Sequence, residues 1–249
     1  MSALDAVLND IATLFVPSLF NLYFAAASIP VGFIGAIVLA LGKGSSNTLI
    51  ARLSRIYIYS FRGSPFFIQL FMVYSLVLAF NQSTWKPLGI DWLVLHPLFI
   101  GPLILALNTI AYTAEIFHGA LVTVPRGEVE AGRAFGMSGW QQFRSIIWPH
   151  MIRIAWPAYT NEVVYLFHAT ALIYFTLPVI DQQKDLMNKA GELFERDYNA
   201  VLHYSVAALY FLCISIVIFI TFGLIYRRLM RHMPQAPKLK WSTRLLSLR

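Results

Sequence analysis

Hydrophobic residues along this 249-residue chain fall into five long, continuous runs that contain almost no charged residue. Each run exceeds the roughly 20 apolar residues that a helix needs to cross the hydrocarbon core of a bilayer. The runs are continuous, whereas the strands of a membrane β-barrel alternate between apolar and polar residues. The pattern predicts an all-α integral membrane protein with a single transmembrane domain over residues 1–249. The five predicted transmembrane helices lie near 19–41, 64–82, 96–118, 152–177 and 200–226.

The composition supports a membrane protein and excludes several other classes. Hydrophobic residues make up 58% and charged residues 12% of the chain, against about 45–50% and about 25% in a soluble domain. A soluble globule with so few charges would lack the polar side chains to cover its surface. The single cysteine excludes an internal disulfide bond.

The distribution of basic residues predicts an orientation in the membrane. The second, fourth and last segments between or after the predicted spans hold 15 Lys and Arg residues, and the other side holds four. The richer side is expected to be cytoplasmic, which places the N-terminus outside and the C-terminus inside. The acidic start does not resemble a cleavable signal peptide, so the first span is expected to remain.

The net charge of +7 comes largely from the tail, residues 227–249, which has seven basic residues and no acidic one. Such a cytoplasmic tail suits the anionic inner leaflet. We therefore expect membrane lipid as its partner and do not expect nucleic acid.

The predicted cytoplasmic loop, residues 119–151, has the signals of two short helices. The first is expected to begin after Pro125 and to end near Gly136, a glycine suited to the position after a helix. Ser138 and Gln141 have the spacing of a capping box and predict the start of the second helix. The loop is either an ordinary connector or a docking platform for a cytoplasmic protein. A DNA-binding helix-turn-helix is rejected because both ends are tied to membrane helices.

Two predicted spans carry polar residues at the same helical spacing, which places each set on one helix face. The sets are Asn108, Tyr112 and Glu115 in the third span, and Asn161, Tyr165 and His168 in the fourth. Such residues either hydrogen-bond to neighbouring helices or line a transport pathway.

The two acidic residues inside the spans differ in depth. Glu162 lies about ten residues, or about 15 Å, into the fourth span, near the bilayer midplane. A transport-pathway role is expected for Glu162 and His168. Glu115 lies near the inner surface, where it is a gate, an ion-pair partner of a basic loop residue, or a surface acid that reaches the headgroups.

Three weaker signals concern local structure. Ser64 and Pro65 predict the entry of the second span, with Ser64 as cap and Pro65 as the first helical residue. Gly32 and Gly35 would allow another helix to approach the first span closely. In the outer loop 178–199, apolar residues at helical spacing predict a short helix on the membrane surface or against the bundle.

Motifs of several enzyme classes are missing from the sequence. Gly42-Lys43-Gly44-Ser45 lacks the spacing of a phosphate-binding P-loop, so this chain is not expected to bind ATP itself. The six histidines show no spacing typical of a metal site, and no nucleophile elbow occurs. We therefore expect no enzyme activity, no cofactor and no metal in this chain.

The cytoplasmic loop resembles the EAA loop of binding-protein-dependent ABC permeases, whose pattern is E-A-A-x3-G-x9-I-x-L-P. Other stretches are similar to the polar amino acid subfamily, in particular to permeases for histidine, lysine, arginine and ornithine or for opines. The matching loop residues are Glu130-Ala131-Gly132, Gly136, Ile146 and Pro149, with Gly132 in place of the second Ala and Trp148 in place of Leu. The other similar stretches are Arg62-Gly63-Ser64-Pro65 with Gln69, residues 111–116, and Pro157 with Asn161-Glu162.

The resemblance implies a type I ABC importer permease of the bacterial inner membrane. Its partners would be a second copy or a homologous permease, two cytoplasmic ATPase subunits that bind ATP and Mg²⁺, and a periplasmic solute-binding protein. The first helix of the loop would couple the chain to the ATPase. The implied coupling residues are Glu130, Ala131, Gly132, Arg133, Phe135 and Gly136. The expected substrate-pathway residues are Glu162, His168, Asn161, Glu115, Tyr112 and Asn108.

An ion-coupled secondary transporter or channel for small solutes is the alternative function, and a membrane-embedded enzyme comes third. Five spans without an inverted repeat argue against the transporter. The choice between basic amino acids and opines stays open. So does the question of whether this chain itself contacts the substrate.

Overall fold

A computed structural model describes residues 3–179 and 184–231 of the chain. These residues form helices, and no β-strand occurs among them, which confirms the all-α prediction. The α-helices are α1 (Ala3–Lys43), α2 (Thr48–Arg62), α3 (Phe66–Ala79), α4 (Asp91–Val94), α5 (Pro97–Leu121), α6 (Arg126–Ala134), α7 (Gly139–Gln142), α8 (Trp148–Ala169), α9 (Leu186–Asp197) and α10 (Ala200–Leu229). Two π-helical turns, Asn81–Trp85 and Phe143–Ile147, and a 3₁₀ turn, Thr170–Phe175, connect them.

Helices α1, α5 and α10 are each long and apolar enough to cross a membrane. Helices α2 and α3 together make a fourth candidate, bent by 111° at the break between them. Helix α8 has 22 residues, but it carries Arg153 and Glu162 and is less apolar than those three. The count of five spans therefore stays a prediction.

Helix α1 is much longer than the predicted first span. Its 41 residues correspond to about 60 Å at 1.5 Å per residue, about twice the thickness of the hydrocarbon core. Asp10, which lies outside the predicted span, is buried here because its carboxylate contacts the His203 ring of α10 at 2.5 Å. The second nitrogen of His203 contacts Asp197, the last residue of α9, at 2.9 Å, so this imidazole of α10 joins α1 to the end of α9.

Helix α1 packs most extensively against α5, and glycines make the approach possible. A Cβ atom at Gly32 would collide with the methyl group of Thr109, and one at Gly35 would lie 2.7 Å from Ile110. The prediction that these two glycines allow close helix approach is confirmed.

The predicted entry into the second span is wrong in detail. Pro65 occupies the cap position before α3 and not its first turn, and Ser64 does not cap the helix. The Ser64 hydroxyl instead donates to the Ser60 carbonyl at 2.8 Å and accepts from Gln69 at 2.9 Å. Helix α2 was not predicted; it runs along α5, and its Tyr57 hydroxyl donates to the Leu107 carbonyl at 2.8 Å.

The two-helix prediction for the cytoplasmic loop is confirmed. Helix α6 begins after Pro125, and Gly136 follows it with a φ of +76°, the left-handed conformation that favours glycine. Both hydrogen bonds of the capping box between Ser138 and Gln141 are present at the start of α7.

The predicted outer-loop helix is α9, and it lies against the bundle. Leu186, Ala190 and Leu193 pack on Leu14 of α1 and on Val206 of α10. Buried Asp185 caps α9 by accepting from the Asn188 amide at 2.8 Å.

Candidate functional site

Helix α6 presents the predicted coupling residues on an exposed surface. The Phe135 side chain at its end is 87% exposed. Aromatic residues are enriched at protein–protein interfaces, and charged residues are found mainly at the rim of such interfaces. The exposed members of the predicted set are Glu130, Ala131, Arg133, Phe135 and Gly136.

Gly132 is the buried member of the predicted coupling set, and it faces the second half of the loop. A Cβ atom there would lie 2.9 Å from Ile146 and 3.2 Å from the Met137 sulfur. Glycine at this position therefore lets α6 pack closely on the π-helical turn that precedes α8. This contact gives a packing reason for the departure from the usual alanine.

The polar face of α5 meets the break between α2 and α3. The buried Asn108 side chain donates to Gln69 at 2.7 Å. The Gln69 amide in turn donates to the Phe61 carbonyl at 2.6 Å and to the Ser64 carbonyl at 2.9 Å. These bonds satisfy backbone groups that the break leaves without a helical partner. Asn108 thus holds the bend through Gln69.

Glu115 forms an ion pair, one of the three roles left open by the sequence. Lys43, at the end of α1, donates to both of its carboxylate oxygens at 2.6 and 2.7 Å. Arg62 lies further away, with 3.8 Å between its nearest nitrogen and the carboxylate. The Arg62 guanidinium also lies over the Tyr112 ring, 5.5 Å from its centroid. Asn108, Tyr112 and Glu115 therefore share a face, as predicted, and that face contacts α2, α3 and the end of α1.

Glu162 is buried between α8 and α5, with 8% of the residue exposed. The Thr109 hydroxyl donates to its carboxylate at 2.9 Å. An ionisable side chain buried inside a membrane helix bundle is a candidate for a transport-pathway role.

The second predicted polar face is exposed in the single chain. Asn161, Tyr165 and His168 lie along it on α8. A His168 ring nitrogen lies 2.8 Å from the Ser215 hydroxyl of α10. The rings of Tyr165 and Tyr112 lie 6.1 Å apart, so the two polar faces meet at this pair of tyrosines.

Arg62 belongs to this group, although it was predicted as a cytoplasmic charge and as part of the Arg62-Gly63-Ser64-Pro65 stretch, and not as a site residue. It contacts Tyr112, which lies nine residues before the end of α5, or about 14 Å along a helix axis.

The chain matches the family described as binding-protein-dependent transport system inner membrane component over residues 17–233. It is 36% identical over 225 residues to the histidine/lysine/arginine/ornithine transport system permease protein HisM of Salmonella typhimurium. The matched region covers 85% of this chain and 88% of HisM. It is 34% identical over 203 residues to the nopaline transport system permease protein NocM of Agrobacterium fabrum, with 82% and 81% covered.

Solved structures agree with the fold. A crystal structure of an amino acid ABC transporter with histidines contains a chain that matches with a TM-score of 0.72 and 24% identity, over 92% of this chain and 99% of that one. The MetNI methionine ABC transporter in an inward-facing conformation matches with a TM-score of 0.57 and 20% identity, with the same coverage.

The chain therefore belongs to the family of binding-protein-dependent inner membrane permeases. It is a multi-pass inner membrane protein and the permease component of an ABC transporter, and the predicted resemblance to binding-protein-dependent ABC permeases is confirmed.

Proposed function

We propose that this permease imports amino acids with a cationic side chain, or the related opines, in an ATP-driven transporter. The observation that carries the proposal is the buried Glu162 carboxylate, which lies within the bundle and accepts a hydrogen bond from Thr109. Coulomb attraction at low local dielectric would favour a cationic group beside it. The named substrates of the relatives are histidine, lysine, arginine and ornithine in one case and nopaline in the other.

The exposed surface of α6 supports a separate ATPase as the energy source. Phe135 projects from the loop with charged residues on the preceding turn. In this proposal two ATPase subunits bind ATP and Mg²⁺ and this chain binds no cofactor. Closure of the ATPases would move the loop as a rigid body, because Gly132 packs on the turn that leads directly into α8.

The remaining partners follow from the faces left uncovered. The polar face of Asn161, Tyr165 and His168 is open in the single chain, so a second permease, identical or homologous, would cover it and complete the pathway. A periplasmic binding protein would deliver substrate to the outer face. The N-terminus would lie outside, and the cytoplasmic tail, of which Arg227, Arg228 and Arg231 are described, would contact anionic lipid.

Gentle purification of the tagged chain from its own membranes tests the assembly. An ATPase, a permease partner and a soluble binding protein are expected to co-purify, and ligand binding to the soluble protein would name the substrate. Recovery of the chain alone from membranes in which it is active in solute uptake would overturn the proposal and favour an ion-coupled carrier.

Uptake measurements test the role of Glu162. In vesicles loaded with ATP, Glu162→Gln is expected to raise the KM for labelled arginine, while Glu195→Gln, an exposed acid of α9, is the matched control. If the KM of Glu162→Gln equals that of the unaltered protein, Glu162 has a structural role only.

A further inference from the structure

Arg62, a partly exposed cation beside the Tyr112 ring, has unused hydrogen-bonding capacity. Its guanidinium carries five N–H donors, yet within residues 3–179 and 184–231 it makes no hydrogen bond, only the 3.8 Å approach to Glu115 and the contact with the Tyr112 ring. Its side chain is 39% exposed. An arginine inside a membrane bundle is costly unless an anionic group meets it.

Glu115 does not fill that need, because Lys43 already holds it. Both Glu115 oxygens accept from the Lys43 ammonium at 2.6 and 2.7 Å, and the Lys43 side chain is only 11% exposed. Of the three groups, Arg62 is the one whose charged end makes no hydrogen bond, and its side chain is the most exposed.

The surroundings of Arg62 fix where an anion could reach it. The Tyr112 ring covers one face of the guanidinium. Tyr165 lies next to Tyr112, with 6.1 Å between the ring centroids, and Glu162 lies three positions before Tyr165, one turn away on α8. One cation and one anion thus flank the same pair of tyrosines, where a molecule with a carboxylate at one end and a positive group at the other would meet both.

The bend fixes the position of Arg62. It is the last residue of α2, and the break that follows it is tied down by the bonds from Gln69 to Phe61 and Ser64 and from Asn108 to Gln69. Because hydrogen bonds already fix the backbone at Arg62, less conformational entropy is lost when its guanidinium binds a ligand. A planar guanidinium also matches a carboxylate with two parallel hydrogen bonds.

We propose that Arg62 binds the α-carboxylate of the transported amino acid and so discriminates amino acids from amines. The inference rests on the proposed function, because it assigns the carboxylate end of a substrate whose cationic end Glu162 attracts. The inference also predicts that the transmembrane pathway, and not only the soluble binding protein, requires a carboxylate on the substrate.

The test is direct binding to the purified permease–ATPase complex in detergent, without the binding protein. The probes are labelled arginine and labelled agmatine, which is arginine without its carboxylate. The variants are Arg62→Gln and Arg62→Lys. Arg52→Gln is the matched control, because Arg52 is an exposed arginine of the same helix and its loss changes the net charge equally.

Arg62→Gln is expected to weaken arginine binding about tenfold or more, the effect of losing hydrogen bonds to a charged group, and to leave agmatine binding within about twofold. Arg62→Lys should reduce the affinity for arginine less than Arg62→Gln does, because lysine keeps the positive charge and loses only the two parallel hydrogen bonds. Arg52→Gln should bind both probes as the unaltered complex does.

If Arg62→Gln weakens the binding of arginine and of agmatine equally, the inference is overturned. Arg62 would then be assigned to the ion pair with Glu115 or to a carboxylate of the partner permease. Unchanged arginine binding would overturn it as well. The inference would also be overturned if the unaltered complex bound agmatine but not arginine. If the unaltered complex bound neither probe, the proposed import of basic amino acids would itself be contradicted.

Discussion

The hydroxyl of Thr109 donates a hydrogen bond of 2.9 Å to the carboxylate of Glu162, and its methyl group meets the backbone of α1 at Gly32. One side chain of α5 therefore orients the buried acid of α8 and also sets how closely α1 approaches. The candidate substrate site and the packing of the three central helices depend on the same residue.

The two contacts of Thr109 can be separated by substitution. Thr109→Val keeps the branched shape and removes the donor, so the Glu162 carboxylate is free to turn away from a cationic substrate. A hydrogen bond to a charged group contributes about 1.5–3 kcal/mol, so the KM for arginine uptake is expected to rise about tenfold or more. Thr109→Ser keeps the donor and is the control. A normal KM for Thr109→Val would show that this bond does not position Glu162.

The close approach of α1 and α5 predicts a large effect of one added methyl group. Gly32→Ala places a Cβ against the Thr109 methyl group, and overpacking of this kind costs about 1–3 kcal/mol. The thermal midpoint of the detergent-solubilised protein is expected to fall. Gly223→Ala in α10 is the control, because a Cβ there meets nothing within 4 Å and alanine favours a helix by up to about 1 kcal/mol. Similar midpoints for the two variants would contradict the packing argument.

The exposed end of α6 predicts a loss of ATPase binding without a loss of folding. Phe135→Ala removes the apolar side chain that is 87% exposed, so the isolated chain should keep its thermal midpoint. Co-purification of the ATPase and ATP-driven uptake should both fall. Leu49→Ala is the control, since Leu49 is 65% exposed at the start of α2 and belongs to another surface. Equal ATPase recovery with both variants would exclude Phe135 from the docking surface.

Local signals made the cytoplasmic loop predictable. The left-handed Gly136 and the box formed by Ser138 and Gln141 depend on residues three or four positions apart, so the sequence contains everything that determines them. The same holds for the polar face of α5, which follows from the helical repeat alone.

Long-range contacts account for what the sequence did not predict. Helix α2 does have local signals, because Asn47 caps it through the Leu49 and Ile50 amides and arginine favours a helix, but its packing on α5 is a long-range contact. The bend is held by Gln69 and Asn108, 39 positions apart. Asp10 is typical of a solvent-exposed end, but His203 lies 193 positions away and contacts it inside the bundle. No local pattern reports such pairings.

The stability of the folded protein is expected to depend on pH through buried Asp185, the residue directly before α9. Burial raises the pKa of its carboxyl from 3.8 to about 6, although hydrogen bonds from Asn188 and Met187 oppose the shift. Between about pH 4 and 6 the folded state therefore holds a proton that the unfolded state has released. Stability from this group is present at low pH, is lost as the pH rises through this window, and changes no further above it.

Asp185→Asn tests this dependence, because asparagine caps a helix as well as aspartate does and cannot ionise. A shift of two pKa units corresponds to about 3 kcal/mol at most. At pH 7 the variant is expected to unfold at a higher temperature than the unaltered protein, and the difference should vanish toward pH 4. Asp185→Ala loses the hydrogen bond to the Asn188 amide and should therefore unfold at a lower temperature than Asp185→Asn at every pH. A thermal midpoint difference between the Asp185→Asn variant and the unaltered protein that is constant from pH 4 to 7 would contradict the raised pKa of Asp185.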